Sequence, residues 1–341
     1  MGRLVPHAVG LPIASCPQQA DRAGLALRRH RPQILRMFRL IGSRLLQMLV
    51  TLALLSAVIW LLIGLMPGDP ADLAIAADPR LGPEDAARLR AQHGLDRPLS
   101  ERYLAWAASM LRGEFGYSRL FAQPVAALLW PALGSTLVLL GLALGLSAGI
   151  GTALGVLAAA RPRLAPLVDA LAVLAQSTPS FWLGMIFIIL FAVTLGWLPA
   201  GGAEGWTSLV LPVATLVVVN LAAYARHAAA AMAEVLALPY ITTARAKGLS
   251  EATVLWRHAF PNASLPLLTV AALDAGSLVS GALITETIFA RPGMGKLIYD
   301  AIMGNDYNLA LLALLLAAAV TMLATLAADL AQRWLDPRLV G

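Results

Sequence analysis

Cysteine is almost absent from this chain. Cys16 is the only one in 341 residues, which excludes an internal disulfide and any multi-cysteine metal site. Charge is scarce as well: 13% of residues are Asp, Glu, Lys or Arg, against about 25% in soluble domains. There are five histidines, all in tails or loops. No HExxH occurs, and no nucleophile inside an apolar run stands near a His or Lys, so the chain lacks the groups of a membrane-embedded hydrolase. A phosphate loop is missing too. The nearest approach, Gly293-Met294-Gly295-Lys296-Leu297, has Ala290 where the upstream glycine belongs and no Ser or Thr after the lysine. It reads instead as a turn entering a short helix. Ile13-Ala14-Ser15-Cys16 has the outline of a lipoprotein box, but Pro6, His7 and Pro12 stand where an apolar run would have to precede it.

What the chain has in excess is apolar surface. At 59% hydrophobic it is an integral membrane protein. A span needs about twenty apolar residues, and six such runs occur, near Leu45–Met66, Leu133–Ala160, Leu164–Leu195, Leu209–Tyr224, Leu265–Phe289 and Leu309–Leu330. An all-α, polytopic protein with six transmembrane helices is expected. The formal charge of +6 sits at segment ends rather than on one face, which assigns it to orientation in the bilayer and not to nucleic acid.

Arg28, Arg29, Arg31, Arg36, Arg39 and Arg44 precede the first run, opposed only by Asp21. Positive residues stay on the cytoplasmic side, so both termini are expected there. The segments Arg161–Arg163 and Arg226–Ser264 then fall inside, and Pro67–Pro131, Gly196–Ser208 and Ala290–Asn308 outside. Residues 1–36 have no periodic apolar face and read as a disordered or misassigned extension, with Met37 a normal beginning. The remaining divisions are a first transmembrane helix at 37–66, an external segment at 67–130, a core permeation domain at 131–331 with a cytoplasmic loop at 229–264, and a cytoplasmic tail at 332–341. In the external segment Pro83-Glu84-Asp85 opens a helix that Gly94 closes, and Pro98 starts another through Tyr103, Trp106 and Leu111.

The inner loop is the most structured of the polar segments. A helix is expected from about Pro239, closed by Gly248 in a left-handed conformation; Ser250 and Glu251 cap a second helix, which Pro261 stops. The result is helix, glycine turn, helix, with Arg245 and Lys247 beside the bend. Gly141, Gly145 and Gly149, then Gly151 and Gly155, form stripes that let another helix approach closely. Gln176, Asn220, Asp274 and Glu286 are the polar residues in or near the spans, and none is assigned to a solute.

Thr243-Ala244-Arg245-Ala246-Lys247-Gly248-Leu249-Ser250-Glu251, followed by Arg257-His258-Ala259-Phe260-Pro261-Asn262, closely resembles the coupling loop of permease subunits of bacterial ABC importers, in the dipeptide, oligopeptide and nickel branch. Pro67-Gly68-Asp69-Pro70, Gly113-Glu114-Phe115-Gly116, Thr178-Pro179-Ser180-Phe181-Trp182, Glu286-Thr287-Ile288-Phe289 with Pro292-Gly293-Met294-Gly295, and Asp336-Pro337-Arg338 resemble the same branch, so the likeness runs from Met37 to Gly341. Two positions depart from it. Thr242 stands where the broader family often has a glutamate that meets the ATPase and where the branch usually has a basic residue, and Pro239 replaces an acidic or polar residue.

The resemblance implies a type I ABC importer permease fold in a bacterial inner membrane. It implies a second homologous permease subunit, two cytoplasmic ATPase subunits that use ATP, an extracytoplasmic solute-binding protein, and surrounding lipid. No cofactor or metal is expected on this chain itself, and it is not expected to be an enzyme. Thr243, Ala244, Arg245, Ala246, Lys247, Gly248, Ser250 and Glu251 are the residues implied to couple to the ATPase, with large substitutions at Ala244 or Ala246 expected to block docking. The solute implied is a di- or oligopeptide, with nickel or another small solute as the alternative. A secondary transporter driven by an ion gradient is the remoter reading; it predicts internal repeats and an intramembrane charge constellation, and neither is evident.

Overall fold

The computed structural model describes residues 18–65, 84, 88 and 97–335. Two units make up the chain, Met1–Gln47 with Val340, and Met48–Leu339 with Gly341. In the first unit the described residues are helical from Gln18, so 18–36 is regular rather than irregular, and Arg44 donates to Gln47 one turn on. Of the helix expected at 83–94, only Glu84 and Arg88 are described, both helical; the rest lies outside the described residues.

Helix α1 (Gln18–Leu65) carries the first apolar run, and α2 (Leu99–Leu111) starts after Pro98 as expected. Ser56 and Tyr103 share a hydroxyl hydrogen bond of 2.8 Å, and Trp60 packs its ring against Tyr103 and Trp106. A two-stranded antiparallel ribbon, β1 (Tyr117–Ser118) and β2 (Gln123–Pro124), is a small addition to the all-helical expectation. Then come α3 (Val125–Ala160), α4 (Ala165–Ser177), α5 (Ser180–Phe187), α6 (Val210–Leu236), α7 (Pro239–Ala246), α8 (Phe260–Ile288), α9 (Met294–Met303) and α10 (Tyr307–Leu335).

Among the described residues four helices are long and apolar enough to span a bilayer, and a fifth candidate is the pair Ala165–Ser177 and Ser180–Thr194 taken as one. The expected count of six is not reached by that criterion, although α8 covers the run at Leu265–Phe289. The third run is not one rod: it bends by 98°. Pro179 supplies no amide hydrogen and forces Thr178 out of the helical region, to ψ 120. After α5 the helix widens into a π stretch, Ile188–Thr194. The second run starts earlier than expected, at Val125, with Pro131 held inside α3.

α6 is the most enclosed span. Its closeness to α3 has a simple cause. A Cβ on Gly151 would stand 2.5 Å from the Leu221 carbonyl oxygen, and one on Gly155 would overlap that of Ala225. Only hydrogen fits there, and contacts that advance in step along both helices make the two parallel. Gly141, Gly145 and Gly149, by contrast, meet nothing within 4 Å. Thus, among the described residues, only the second stripe serves close packing.

At the opposite end from the loop 229–264, Glu286 of α8 is fully buried and acts as an N-terminal cap for α9. Its carboxylate accepts from the Gly295 amide at 2.7 Å and from Thr136 Oγ1 of α3 at 2.5 Å. Thr136 Oγ1 in turn accepts from the Met294 amide at 2.8 Å. The orphan amides of a helix start favour a negative group at that place. Gly293 is required because any Cβ would overlap the Glu286 carboxylate. Burial pulls the nearby Arg291 guanidinium below its ordinary value, and Glu286 opposes that shift. Thus Gly293-Met294-Gly295 does enter a short helix, α9, as the sequence indicated. Asp306 performs the same service for α10, accepting from the Leu309 amide and tying in Ser118 and Leu120 from the ribbon.

Candidate functional site

The loop between α6 and α8 folds into a compact knob. Pro239 sits in the first turn of α7, where its missing amide hydrogen costs nothing. α7 closes with the Lys247 amide donating to Thr243 O and the Gly248 amide to Arg245 O. Gly248 has φ +79, a left-handed conformation that reverses the chain. Ser250 Oγ then accepts from the Thr253 amide at 3.3 Å and caps the single turn Glu251–Thr253. All three sequence signals perform as expected.

Pro261 does not. It was expected to stop the second helix, but the turn Glu251–Thr253 widens into a π stretch, Val254–Ala259, and runs on into α8 with Pro261 in that helix's first turn. A proline at a helix start is permissive rather than terminating. The consequence is direct covalent and helical continuity from the knob into a long apolar helix.

One buried cluster holds the knob to the bundle. Ile241 and Ala244 of α7, Val254 and Ala259 of the π stretch and Ala263 of α8 pack on Val156 of α3 and Met232 of α6. Ile241 and Val254 expose none of their surface. A polar stitch reinforces it: Tyr240 Oη donates to His258 O at 3.2 Å, and Asn262 Nδ2 donates to Tyr240 Oη at 2.9 Å.

The eight residues implied to couple divide into two faces. Ala244 points inward, only 6% exposed, so it is an anchoring position rather than part of an outer contact surface. Thr243, Arg245, Ala246, Lys247, Gly248, Ser250 and Glu251 are exposed. Arg245 and Glu251 are paired across the bend, Nε to Oε1 at 2.8 Å and Nη2 to Oε2 at 3.3 Å. Lys247 makes no ion pair among the described residues, which leaves it as the bend's free positive charge. Around these groups lie exposed Tyr240, Leu249 and Trp256, with Trp256 set edge-on to Phe260. Trp256 and Leu249 were not singled out from sequence, although large apolar side chains beside a basic turn are what a protein contact surface uses. A bent pair of helices with an apolar-basic outer face, rooted in the ends of two spans, is suited to receive force from a soluble partner.

Comparison with known proteins identifies the family. The profile of the binding-protein-dependent transport system inner membrane component matches residues 151–341, and the profile of the N-terminal part of such membrane components matches residues 37–137. A probable peptide ABC transporter permease protein, y4tP, of Sinorhizobium fredii is 38% identical over 308 residues, covering 87% of this chain and 97% of that protein. The glutathione transport system permease protein GsiC of Escherichia coli K12 is 34% identical over 303 residues, covering 88% and 98%. Among solved structures, an inward-facing form of the MetNI methionine ABC transporter superposes with a TM-score of 0.54 at 22% identity, covering 62% of this chain and 98% of the other, a likeness of fold. With the two profiles matching residues 37–137 and 151–341, the chain belongs to the family of binding-protein-dependent transport system inner membrane components and is an ABC importer permease.

Proposed function

We propose that this chain is one of two homologous membrane-spanning subunits of an importer that moves di- or oligopeptides inward. In this reading an extracytoplasmic binding protein delivers the solute, and two cytoplasmic ATPase subunits close on ATP and drive the knob at 229–264. Both termini are cytoplasmic, and the chain binds no nucleotide itself. The carrying observation is the knob: it is fixed by Ile241 and Val254 to α3 and α6, continuous with α8, and presents Lys247, Leu249 and Trp256 outward. The names of the similar proteins, peptide and glutathione permeases, support a peptide-type solute over nickel.

Mechanism follows from the rigid connections. Closure of the ATPase pair displaces both knobs; because each is packed on three helices, the displacement tilts those helices together rather than bending the loop. The solute path then changes the side on which it is open. Thr243, Arg245, Ala246, Lys247, Gly248, Ser250 and Glu251 form the contact and bend, with Ala244 anchoring them from behind.

The test is reconstitution of the chain with its partner subunits in proteoliposomes. Peptide uptake that requires both ATP and peptide-loaded binding protein is the expected result. Uptake by this chain alone under a proton gradient would refute the assignment.

A further inference from the structure

Arg226 occupies an unusual place. It is the only Lys or Arg in α6, and its level in the bundle can be read from α3. Gly151 meets Leu221 and Tyr224, and Gly155 meets Ala225 and Ala228. The next cation on α3's course, Arg161, follows Gly155 by six residues, or about 9 Å of helix rise. Arg226, level with Gly155, therefore stands about 9 Å along the bundle from the level of Arg161, and the candidate span Trp206–Leu236 runs past it, so the inner segment does not begin at Arg226 as the sequence indicated.

Its side chain is nevertheless exposed. A guanidinium facing hydrocarbon within a span is costly, so the surface bearing it has to meet water or protein instead of lipid. Arg226 Nη2 donates to Gln176 Oε1 at 2.5 Å. Gln176 is in the last turn of α4, immediately before the 98° break. One hydrogen bond fixes the guanidinium while most of its five donors stay available. Ala175 and Ala225, the chain neighbours of this pair, line a hollow of about 440 Å³ together with Leu174, Thr178, Trp182 and Leu221; its lining is almost wholly apolar and includes neither Arg226 nor Gln176. That volume falls in the range of small-ligand sites, about 300–1,000 Å³.

We infer that Arg226 and this hollow form a solute-contact point on the translocation path, with the guanidinium receiving a carboxylate of the passing peptide and the hollow an apolar side chain next to it. Gln176 is a positioning residue that holds the guanidinium at the rim. The break at Thr178–Pro179 makes the hollow, because α5 leaves at a steep angle and exposes the flank of α6 that a straight helix would cover. Tyr224, two residues before Arg226, is buried, and His227 Nδ1 is engaged with Ala223 O at 2.8 Å. The inference rests on the importer reading above; its charge requirement and its water access are separate from that reading.

Two measurements on the complete complex in proteoliposomes test it. First, uptake of a labelled tripeptide with a free carboxylate is compared for wild type, Arg226→Lys, Arg226→Gln and Gln176→Leu. Loss of a charge-assisted contact is expected to lower the peptide moved per ATP about tenfold in Arg226→Gln, with substantial rescue in Arg226→Lys and a raised half-saturating concentration in Gln176→Leu. Wild-type yield in Arg226→Gln overturns the site, and so does equal loss of complex assembly in Arg226→Gln and Arg226→Lys, which would place Arg226 at a subunit interface. Second, Arg226→Cys on a Cys16→Ser background is treated with a membrane-impermeant thiol reagent. Modification is expected, and failure to react overturns the inference. If the wild-type complex moves no peptide, the importer reading fails instead, and the thiol measurement still decides whether this face is wet.

Discussion

Arg245 and Glu251 grip one another across the Gly248 bend, guanidinium to carboxylate, through two hydrogen bonds. Both are substantially exposed, 43% and 64%, so the pair adds only about 0–1 kcal/mol to stability. Its effect is to cancel Arg245's charge locally and leave Lys247 as the positive group offered to a partner. Lys247→Glu is expected to lower ATP-coupled transport several-fold more than Arg245→Gln, each measured as solute moved per ATP in the reconstituted complex. Equal effects would show that the ion pair opens on docking.

Gly248→Val tests the bend itself. At φ +79 a β-branched residue carries strain of roughly 1–3 kcal/mol, and the chain would relieve it by moving Ser250 and Glu251 relative to α7. Hydrolysis without transport is the expected outcome. Gly248→Asn, which tolerates the left-handed region better, should retain most of the coupling. Both are read as the ratio of uptake to phosphate release.

Ala244 and Ala246 separate anchoring from contact. Ala244→Leu inserts three heavy atoms into the packed cluster of Ile241, Val254 and Ala259, at a cost of about 1–3 kcal/mol, and should lower the Tm of the detergent-solubilised subunit. Ala246→Leu lies on the exposed face, should leave Tm unchanged, and should weaken association with the ATPase. A Tm loss in both variants would contradict the two-faced arrangement.

Those two alanines also show what was legible in the sequence. Pro239, Gly248 and Ser250 act through backbone geometry within a few residues, so the helix, the reversal and the cap could be read directly. Which alanine faces inward depends on packing against Val156, far away in the chain, and against Met232 on the preceding helix, and neither is fixed by the residues of α7 alone. Pro261 misled because the same residue ends one helix and starts another; the π stretch before it decided between them. The break at Thr178–Pro179 falls where Gln176-Ser177-Thr178-Pro179-Ser180 interrupts the apolar run, a local signal that the run's overall hydropathy masks. Of the glycine stripes, Gly151 and Gly155 found their partner in α6 while Gly141, Gly145 and Gly149 did not, a difference set by how α3 is rotated.

Glu286→Gln isolates the cap on α9. The amide still accepts from Thr136 through its oxygen but turns an NH2 toward the Gly295 amide, where the carboxylate now accepts. Leaving a buried donor unmet costs about 1–3 kcal/mol. The expected result is a lower Tm with faster proteolysis between Phe289 and Met294, and a smaller Tm loss in Thr136→Ser, which keeps the hydroxyl. Unchanged Tm in Glu286→Gln would contradict the capping role.

The unbroken passage from the π stretch at Val254–Ala259 into α8 gives the molecule a lever. Twenty-nine residues, Phe260–Ile288, make a shaft about 43 Å long at 1.5 Å per residue. A tilt of about 5° at the knob would swing the far end by about 4 Å over that length. Glu286 rides on that end and is pinned to α9 and α3, so a small rotation driven at one surface would be delivered, magnified and already distributed over two further helices, at the other.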